Sequence, residues 1–233
     1  CGNPAAAQCG TVVATYVSLQ QLRAVHARFE AQAEDVASGQ SHPRPVSSEE
    51  SSVGTLRRRS FARKGRAGSS ARPALVCGGA GFLGAHLCAR LLTEGRRVLC
   101  VDNFCTSTPE AIEKLIPQPR FELIEQDIAL LDDDFGAEFA VHDIFNLACA
   151  ASPVLYQRSP LDTLFSSVRG MDNLLRIASR CGATVFQAST SEVYGHPTMH
   201  PQSENYWGYV NPIGPRACYD EGKRCAETLC FIY

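Results

Sequence analysis

Short apolar runs alternate with longer amphipathic stretches along the chain from residue 73 onwards. Each apolar run is rich in Val, Ile, Leu and Phe, and each is followed by a turn or by a stretch with helical periodicity. Apolar runs without a polar face are typical of parallel strands, because helices cover such a sheet on both sides. The pattern therefore predicts an α/β fold with a doubly wound parallel sheet.

The same pattern predicts where the elements lie. The predicted strands cover 74–78, 97–102, 121–127, 142–148 and 184–190, and the predicted helices cover 82–94, 109–116, 159–180 and a last stretch from about 215. No strand is predicted after the last helix. We therefore expect the C-terminal part of the fold to be missing from this sequence.

Residues 1–72 have a different character. They combine one possible helix with a Ser-, Pro- and Gly-rich stretch and a basic run at 57–66, and they carry ten Lys and Arg residues against five Asp and Glu. Residues 73–233 carry twelve against nineteen. Low apolar content after residue 37 predicts a flexible or poorly ordered basic segment. The basic run lacks interleaved aromatic residues and is more typical of a solvated tail, so we expect no nucleic-acid partner.

Composition narrows the class of protein further. No apolar run is long enough to span a membrane, and the apolar stretch at 11–19 is too short, with no basic region before it, for a signal peptide. The eleven cysteines include no C-x-x-C pair and mostly lie in apolar surroundings, where a thiol behaves as a small hydrophobic group. We therefore expect a cytoplasmic protein with no membrane partner, disulfide framework or metal site.

A glycine-rich loop joins the first predicted strand to the first predicted helix. Gly78, Gly81 and Gly84 recur at intervals of three residues. The turn needs glycine's backbone freedom, a pyrophosphate must approach the main chain closely, and the helix N-terminus offers free N–H groups with partial positive charge. The loop therefore predicts a dinucleotide site on a Rossmann-like sheet.

An acidic residue supports the same prediction. Asp102 ends the second predicted strand, 18 residues after Gly84, where a carboxylate can accept hydrogen bonds from an adenosine ribose. A 2′-phosphate would call for a basic residue nearby, whereas Asn103 and Phe104 follow. The sequence therefore favours NAD over NADP, and residues 73–233 are interpreted as a truncated NAD-binding Rossmann domain.

Several segments together resemble the extended short-chain dehydrogenase/reductase family. They are the G-x-x-G-x-x-G loop, FELIEQDI at 121–128, IFNLACAASP at 144–153, ASTSEVYG at 188–195 and YDEGK at 219–223. The run HPQSENYWGYVNPIGPRACYDEGKR is similar to the UDP-glucuronate decarboxylases (UDP-xylose synthases) of that family. The resemblance covers about 73–233. Because family members continue well beyond this point, it implies a fragment or a truncated homologue.

The resemblance implies a set of residues around NAD. They are Gly78, Gly81, Phe82, Leu83, Gly84, Asp102, Asn103, Thr106, Asp127, Ile128, Leu147, Ala148, Cys149, Tyr219 and Lys223. It also implies a homodimer, in which the helix near 159–180 and the last helix pair with their copies. The apolar faces that fit this dimer comprise Leu161, Leu164, Val168, Leu174, Leu175, Cys225 and Leu229.

The resemblance further implies that Tyr219 takes the proton of the sugar C4 hydroxyl. Free tyrosine has a pKa near ~10, and a cation one helical turn away, Lys223, favours the phenolate. Lys223 would also hold the nicotinamide ribose, and Thr190 would steady the substrate oxygen.

Ser191 and Glu192 discriminate between the reactions of the family. The 4,6-dehydratases carry an Asp where Ser191 stands, to protonate a departing hydroxyl, whereas a decarboxylase expels carbon dioxide and needs no such acid. Glu192 is expected near C5 and C6 of the sugar, with Asn173 and Pro212 as further substrate residues. The implied reaction is NAD-dependent decarboxylation of UDP-glucuronate to UDP-xylose through a 4-keto intermediate. A nucleotide-sugar 4,6-dehydratase or 4-epimerase stays open as an alternative.

Three departures from the family pattern support a further alternative. Residues 165–167 read Phe-Ser-Ser where the family usually has Lys-Thr-Asn, which removes a cation that would contact an acidic sugar. Residues 107–109 read STP where the family has a basic stretch, and Cys149 replaces the usual Ser. Phe165 and the missing C-terminal part make a catalytically inactive dinucleotide-binding or dimerisation module a further alternative, and we expect the present chain alone to be inactive.

Overall fold

The computed structural model describes residues 73–132, 134–135 and 139–233. The predicted basic segment at 1–72 lies outside the described residues. All the described residues belong to one compact unit.

Five parallel strands form the sheet that the sequence predicts. They are β1 (Ala74–Cys77), β2 (Val98–Asp102), β3 (Phe121–Glu125), β4 (Asp143–Asn146) and β5 (Thr184–Gln187), in the order β3-β2-β1-β4-β5. Most of these strands end earlier than predicted. The residues beyond their carboxyl ends form the loops that build the candidate site.

Four α-helices that lie wholly within the described residues connect or follow the strands. They are α1 (Phe82–Thr93), α2 (Pro153–Arg158), α3 (Pro160–Cys181) and α4 (Ala217–Ile232). Single 3₁₀ turns lie at Pro109–Ile112, Ile128–Leu130 and Ser191–Tyr194, so the predicted helix at 109–116 is a 3₁₀ turn followed by further turns. Helix α2 was not predicted. It begins at Pro153 and ends at Arg158, and Pro160 then starts α3; a proline favours the first turn of a helix in both cases.

The central strand β1 is buried on both faces. Leu75 and Cys77 pack into the cluster that includes α3 and the buried face of α4. Ala74 and Val76 point to the other face, where they meet the buried side of α1. This two-sided burial explains the continuous apolar run in the sequence, because a parallel strand covered by helices has no polar face.

Cysteines contribute to both apolar clusters. Cys77, Cys88, Cys100 and Cys230 are buried, and each of these four is a free thiol. Burial raises the pKa of Cys230 to about 11, so this thiol stays neutral at physiological pH. The sequence prediction that these thiols act as small hydrophobic groups is confirmed. Among the described residues, no helix is long and apolar enough to cross a membrane.

Candidate functional site

The candidate site lies at the carboxyl ends of the strands, where the strand order reverses. The chain runs from β1 outwards to β2 and β3, then crosses to β4 and β5 on the other side of β1. A crevice opens at such a switch point in doubly wound sheets, because the loops on its two sides diverge. The loops after β1, β4 and β5 therefore converge on one place.

The glycine loop after β1 leaves open a space that side chains would fill. A pyrophosphate needs such a space to approach the main chain. Gly78 has a φ of +72°, and a Cβ on it would lie 2.9 Å from the backbone of Leu147 and Ala148. A Cβ on Gly84 would lie 2.1 Å from the Gly78 carbonyl oxygen, so Gly84 lets α1 pack against the loop. Gly81 caps α1 without a side-chain hydrogen bond, and the first turn has no acidic residue. The helix N-terminus is thus free to meet an anion.

Asp102 fixes the loop from the end of β2. Its carboxylate accepts hydrogen bonds from the Ala80 and Phe104 N–H groups, both at 2.9 Å, and from the Ser107 hydroxyl at 2.8 Å. It is nearly buried, yet two oxygens with about four lone-pair sites leave room for a ribose hydroxyl. The carboxylate therefore orders the glycine loop as well as offering an acceptor.

A second carboxylate lies at the same edge of the sheet. Asp127 accepts from the Ala129 N–H at 2.8 Å and from the Asn103 amide at 3.0 Å. Asn103 and Thr106 are exposed beside it, so the loop after β2 and the loop after β3 form one polar edge. Phe82 and Leu83, at the start of α1, are also exposed.

Asn173 contacts the turn that follows β3. It is nearly buried on α3, its amide donates to the Ile128 carbonyl at 3.0 Å, and its oxygen accepts from Arg176 at 2.6 Å. The side chain therefore secures the turn after β3. Its predicted contact with the sugar stays a prediction. Ile128 itself is buried against α3, where Gly170 leaves room for it.

The loop after β4 forms the wall opposite the glycine loop. Leu147 donates its N–H to the Cys77 carbonyl at 3.0 Å, which ties this wall to β1. Cys149 follows, with its Sγ 3.3 Å from the Ser167 Oγ. The contribution of residues 147–149 to the cofactor site stays a prediction.

Tyr219 and Lys223 lie on one face of α4, both nearly buried. The Lys223 Nζ is 5.9 Å from the centroid of the Tyr219 ring and donates to the Ala188 carbonyl at 2.8 Å. Burial is the main cause that raises the pKa of Tyr219, while hydrogen bonding to the Thr190 side chain lowers it. Burial also lowers the pKa of Lys223. The net direction for Tyr219 differs from the sequence argument, because desolvation by burial raises the pKa more than the Thr190 hydrogen bond lowers it.

A second tyrosine lies against the first and was missed from the sequence. Tyr156, on α2, is fully buried and stacks on the Tyr219 ring with centroids 5.0 Å apart and planes 5° apart. Its hydroxyl has no hydrogen-bond partner among the described residues. The missed helix carries this residue, so the signal that could have found it was the Pro-x-x-Tyr segment directly before the proline that starts α3.

Glu192 forms an ion pair with Arg216, at the start of α4, and Arg216 was not among the predicted site residues. Ser191 is exposed in the same 3₁₀ turn, and Pro212 is exposed in the loop before α4. Asp220 is near this pair, and burial raises the pKa of its carboxyl. The end of β5 and the start of α4 therefore meet in a charged cluster beside Tyr219.

The sequence of this chain is similar to those of known proteins. The family model of the NAD dependent epimerase/dehydratase family matches residues 74–233. UDP-glucuronic acid decarboxylase 1 of Xenopus tropicalis is 50% identical over 159 residues, which cover 68% of this chain and 37% of that protein. The chain spans less than half the length of the curated relatives it matches.

The fold of this chain is also similar to those of solved structures. UDP-glucose-4-epimerase from Stenotrophomonas maltophila, with bound NAD and formylated UDP-arabinopyranose, is 28% identical with a TM-score of 0.57, covering 69% of this chain and 48% of that one. The Bordetella bronchiseptica enzyme WbmG in complex with NAD shares the fold at 24% identity and a TM-score of 0.58, covering 70% and 50%. The chain belongs to the NAD dependent epimerase/dehydratase family.

Proposed function

We propose that the protein is an NAD-dependent UDP-glucuronate decarboxylase that forms UDP-xylose through a 4-keto sugar. The observation that carries the proposal is the grouping of Tyr219, Lys223 and Thr190 with the Ser191–Glu192 pair at the end of β5. The name and the identity of the Xenopus relative support the choice of reaction. Rossmann-like folds serve many reactions, so the residues at the site have to separate them.

NAD would be held along the switch-point crevice. The glycine loop and the α1 N-terminus would meet the pyrophosphate, Asp102 the adenosine ribose, Asp127 the adenine side, and the wall at 147–149 the nicotinamide ribose. When bound, NAD would supply a hydride acceptor for C4 of the sugar, a donor for its return, and positive charge near Tyr219. Asp102 favours NAD over NADP, because its carboxylate would repel a 2′-phosphate.

Tyr219 is the proposed base. Its phenolate oxygen would take the proton of the C4 hydroxyl during oxidation and return it when the C4 ketone is reduced. Thr190, whose side chain interacts with the Tyr219 hydroxyl, would hold the same substrate oxygen. Lys223 would hold ribose hydroxyls, with its ammonium directed by the Ala188 carbonyl.

The residues after Thr190 favour decarboxylation. A C4 ketone makes the C6 carboxylate a β-keto acid, which loses carbon dioxide as the ketone accepts the electron pair of the breaking bond. A proton must then reach C5, and Glu192 is the proposed source, directly or through water. Ser191 is a poor general acid, which disfavours loss of a C6 hydroxyl as in a 4,6-dehydratase. A 4-epimerase would need no residue at C5, so Glu192 also disfavours that alternative.

Two features bear on the substrate and on assembly. Phe165 packs under the Arg169 guanidinium, which lies 4.0 Å from the ring centroid, so a cation remains near the position where the family resemblance implies a lysine. This contact weakens the alternative of a catalytically inactive binding module. We also propose a homodimer through α3 and α4.

Product analysis tests the reaction. The 233-residue chain and the longest reading frame that contains it would each be incubated with NAD and UDP-glucuronate. We expect NAD binding by calorimetry, and carbon dioxide with UDP-xylose from the longer form. A 4-keto-6-deoxy sugar from UDP-glucose, without UDP-xylose from UDP-glucuronate, would replace the decarboxylase by a dehydratase. If neither form of the protein binds NAD, neither the decarboxylase nor the dehydratase is supported, and the proposal is removed.

A further inference from the structure

Two buried amides face each other between β4 and β5. Asn146 and Gln187 are paired at the last position of the parallel register, so their side chains emerge on the same face of the sheet. Both are nearly buried, and the Asn146 Nδ2 donates to the Gln187 Oε1 at 2.7 Å. The pair lies under the candidate site, where the two strands end.

Each amide also holds a piece of backbone that reaches the site. The Asn146 Oδ1 accepts from the Ala148 N–H at 3.2 Å, in the wall after β4. The Gln187 Nε2 donates to the Ala188 carbonyl at 3.0 Å, and the Lys223 Nζ donates to that same oxygen at 2.8 Å. One continuous set of hydrogen bonds thus runs from the wall after β4 to the lysine on α4.

A polar pair at this place is not needed for core stability. Two apolar side chains of similar volume fill a core position without the desolvation cost of amides. What the amides add is direction, because a hydrogen bond fixes the plane of the carbonyl that Lys223 uses. A lysine side chain has four rotatable bonds, so a directed acceptor is the means by which the fold sets its Nζ.

We propose that Asn146 and Gln187 are positioning residues, which orient the Ala188 carbonyl and so set the Lys223 ammonium against the wall at Ala148. The assignment of NAD to that wall rests on the proposed function, whereas the link between Gln187 and Lys223 does not. The pair touches neither reacting atoms nor cofactor in this account. It acts through Lys223 and through the backbone after β4.

The link to Lys223 can be tested without any cofactor. The chain has three lysines, Lys64, Lys114 and Lys223, so ¹³C labelling at the lysine ε-carbon gives three signals, and Lys223→Met assigns the third. Titratable groups facing Lys223 are Tyr219 and Glu227 on its own helix and Cys149 after β4. Gln187→Glu would place a carboxylate next to the Ala188 carbonyl oxygen that accepts from Lys223.

We expect Gln187→Glu to raise the pKa of Lys223 by about one unit or more, because an opposite charge within hydrogen-bonding range favours the ammonium. Gln126→Glu is the matched control. The Gln126 amide also donates to a backbone carbonyl, that of Leu130, but at the edge of the sheet. An unchanged Lys223 titration in Gln187→Glu, or an equal rise in both variants, would overturn the proposal.

NAD binding supplies the second readout. Gln187→Met keeps the volume but removes both hydrogen bonds, and we expect about tenfold weaker NAD binding, as for residues coupled in one network. Val185→Ala, two residues earlier on β5, destabilises the same core without touching the pair and should leave NAD affinity within twofold. Equal losses in the two variants would mean that the amides only stabilise the fold. If the unmutated chain binds no NAD, the proposed function fails, and the lysine titration still decides the link.

Discussion

Burial has two opposing consequences for Tyr219, one for the position of its ring and one for the pKa of its hydroxyl. Burial against Tyr156 gives the ring a fixed position but raises the pKa of its hydroxyl, because a phenolate is poorly solvated there. Hydrogen bonding to the Thr190 side chain opposes this rise in the pKa. The chain's own groups therefore fix the position of the proposed base, and a further lowering of its pKa would fall to the positive charge of bound NAD.

Removing the Tyr219 oxygen should separate chemistry from binding. In Tyr219→Phe we expect turnover of UDP-glucuronate to fall by ~10²–10⁴, since loss of a general base typically costs that much. NAD affinity should stay within about twofold, because the ring still stacks on Tyr156. Calorimetry and product analysis on the longest reading frame containing the chain measure the two quantities. A fully active Tyr219→Phe would remove Tyr219 from the mechanism.

Stability at alkaline pH should reveal the raised pKa of Tyr219. A group whose folded pKa is raised contributes stability that is fully present below its unfolded pKa, near ~10 for tyrosine, and is lost as the pH rises through the folded value. The unmutated chain should therefore lose stability relative to Tyr219→Phe as the pH rises from 9 towards 11. Urea unfolding of both proteins at several pH values measures the difference. A constant difference across this range contradicts the raised pKa.

At the scale of elements, periodicity and glycine spacing predicted most of the fold. The five strands and the loop at 78–84 follow from local pattern, because burial on both faces leaves a continuous apolar run. The short helix α2 could not be found this way, since six residues carry less than two turns of periodicity. The pairings of Arg216 with Glu192 and of Asn173 with Ile128 depend on tertiary approach, which spacing along the chain does not encode.

Packing of α1 on the glycine loop gives a prediction for one element. In Gly84→Ala the new Cβ meets backbone atoms of Gly78 and Gly79, so α1 must shift; we expect loss of NAD binding and about 3 kcal/mol of destabilisation. Gly182→Ala is the control. That glycine ends α3 with a φ of +65° and has nothing within 4 Å of a built Cβ.

The control variant should cost about 1–2 kcal/mol through left-handed strain alone and leave NAD affinity unchanged. Urea unfolding and calorimetry of the two variants give both quantities. Normal NAD binding by Gly84→Ala would show that the loop tolerates a side chain and would contradict the close approach of helix and loop.

At the scale of the whole molecule, the two long helices α3 and α4 pack against each other and share the apolar cluster beneath the sheet. This corrects part of the predicted dimer face. Leu174 and Leu175 are fully buried in the core, and Leu229 packs against the same cluster. Leu161 remains exposed on α3, and Phe231 and Ile232 are exposed at the end of α4. Only the outer residues are therefore available to a second copy.

A charged substitution on this outer surface tests the proposed homodimer. We expect the unmutated chain to sediment as a dimer at micromolar concentration and Leu161→Arg to sediment as a monomer, because an arginine buried in an apolar interface lacks a partner. Leu130→Arg is the matched control, since Leu130 is also exposed but lies in the turn after β3. It should leave the dimer intact. A monomeric unmutated chain would remove the homodimer from the proposal, and dissociation by Leu130→Arg as well would place the interface elsewhere.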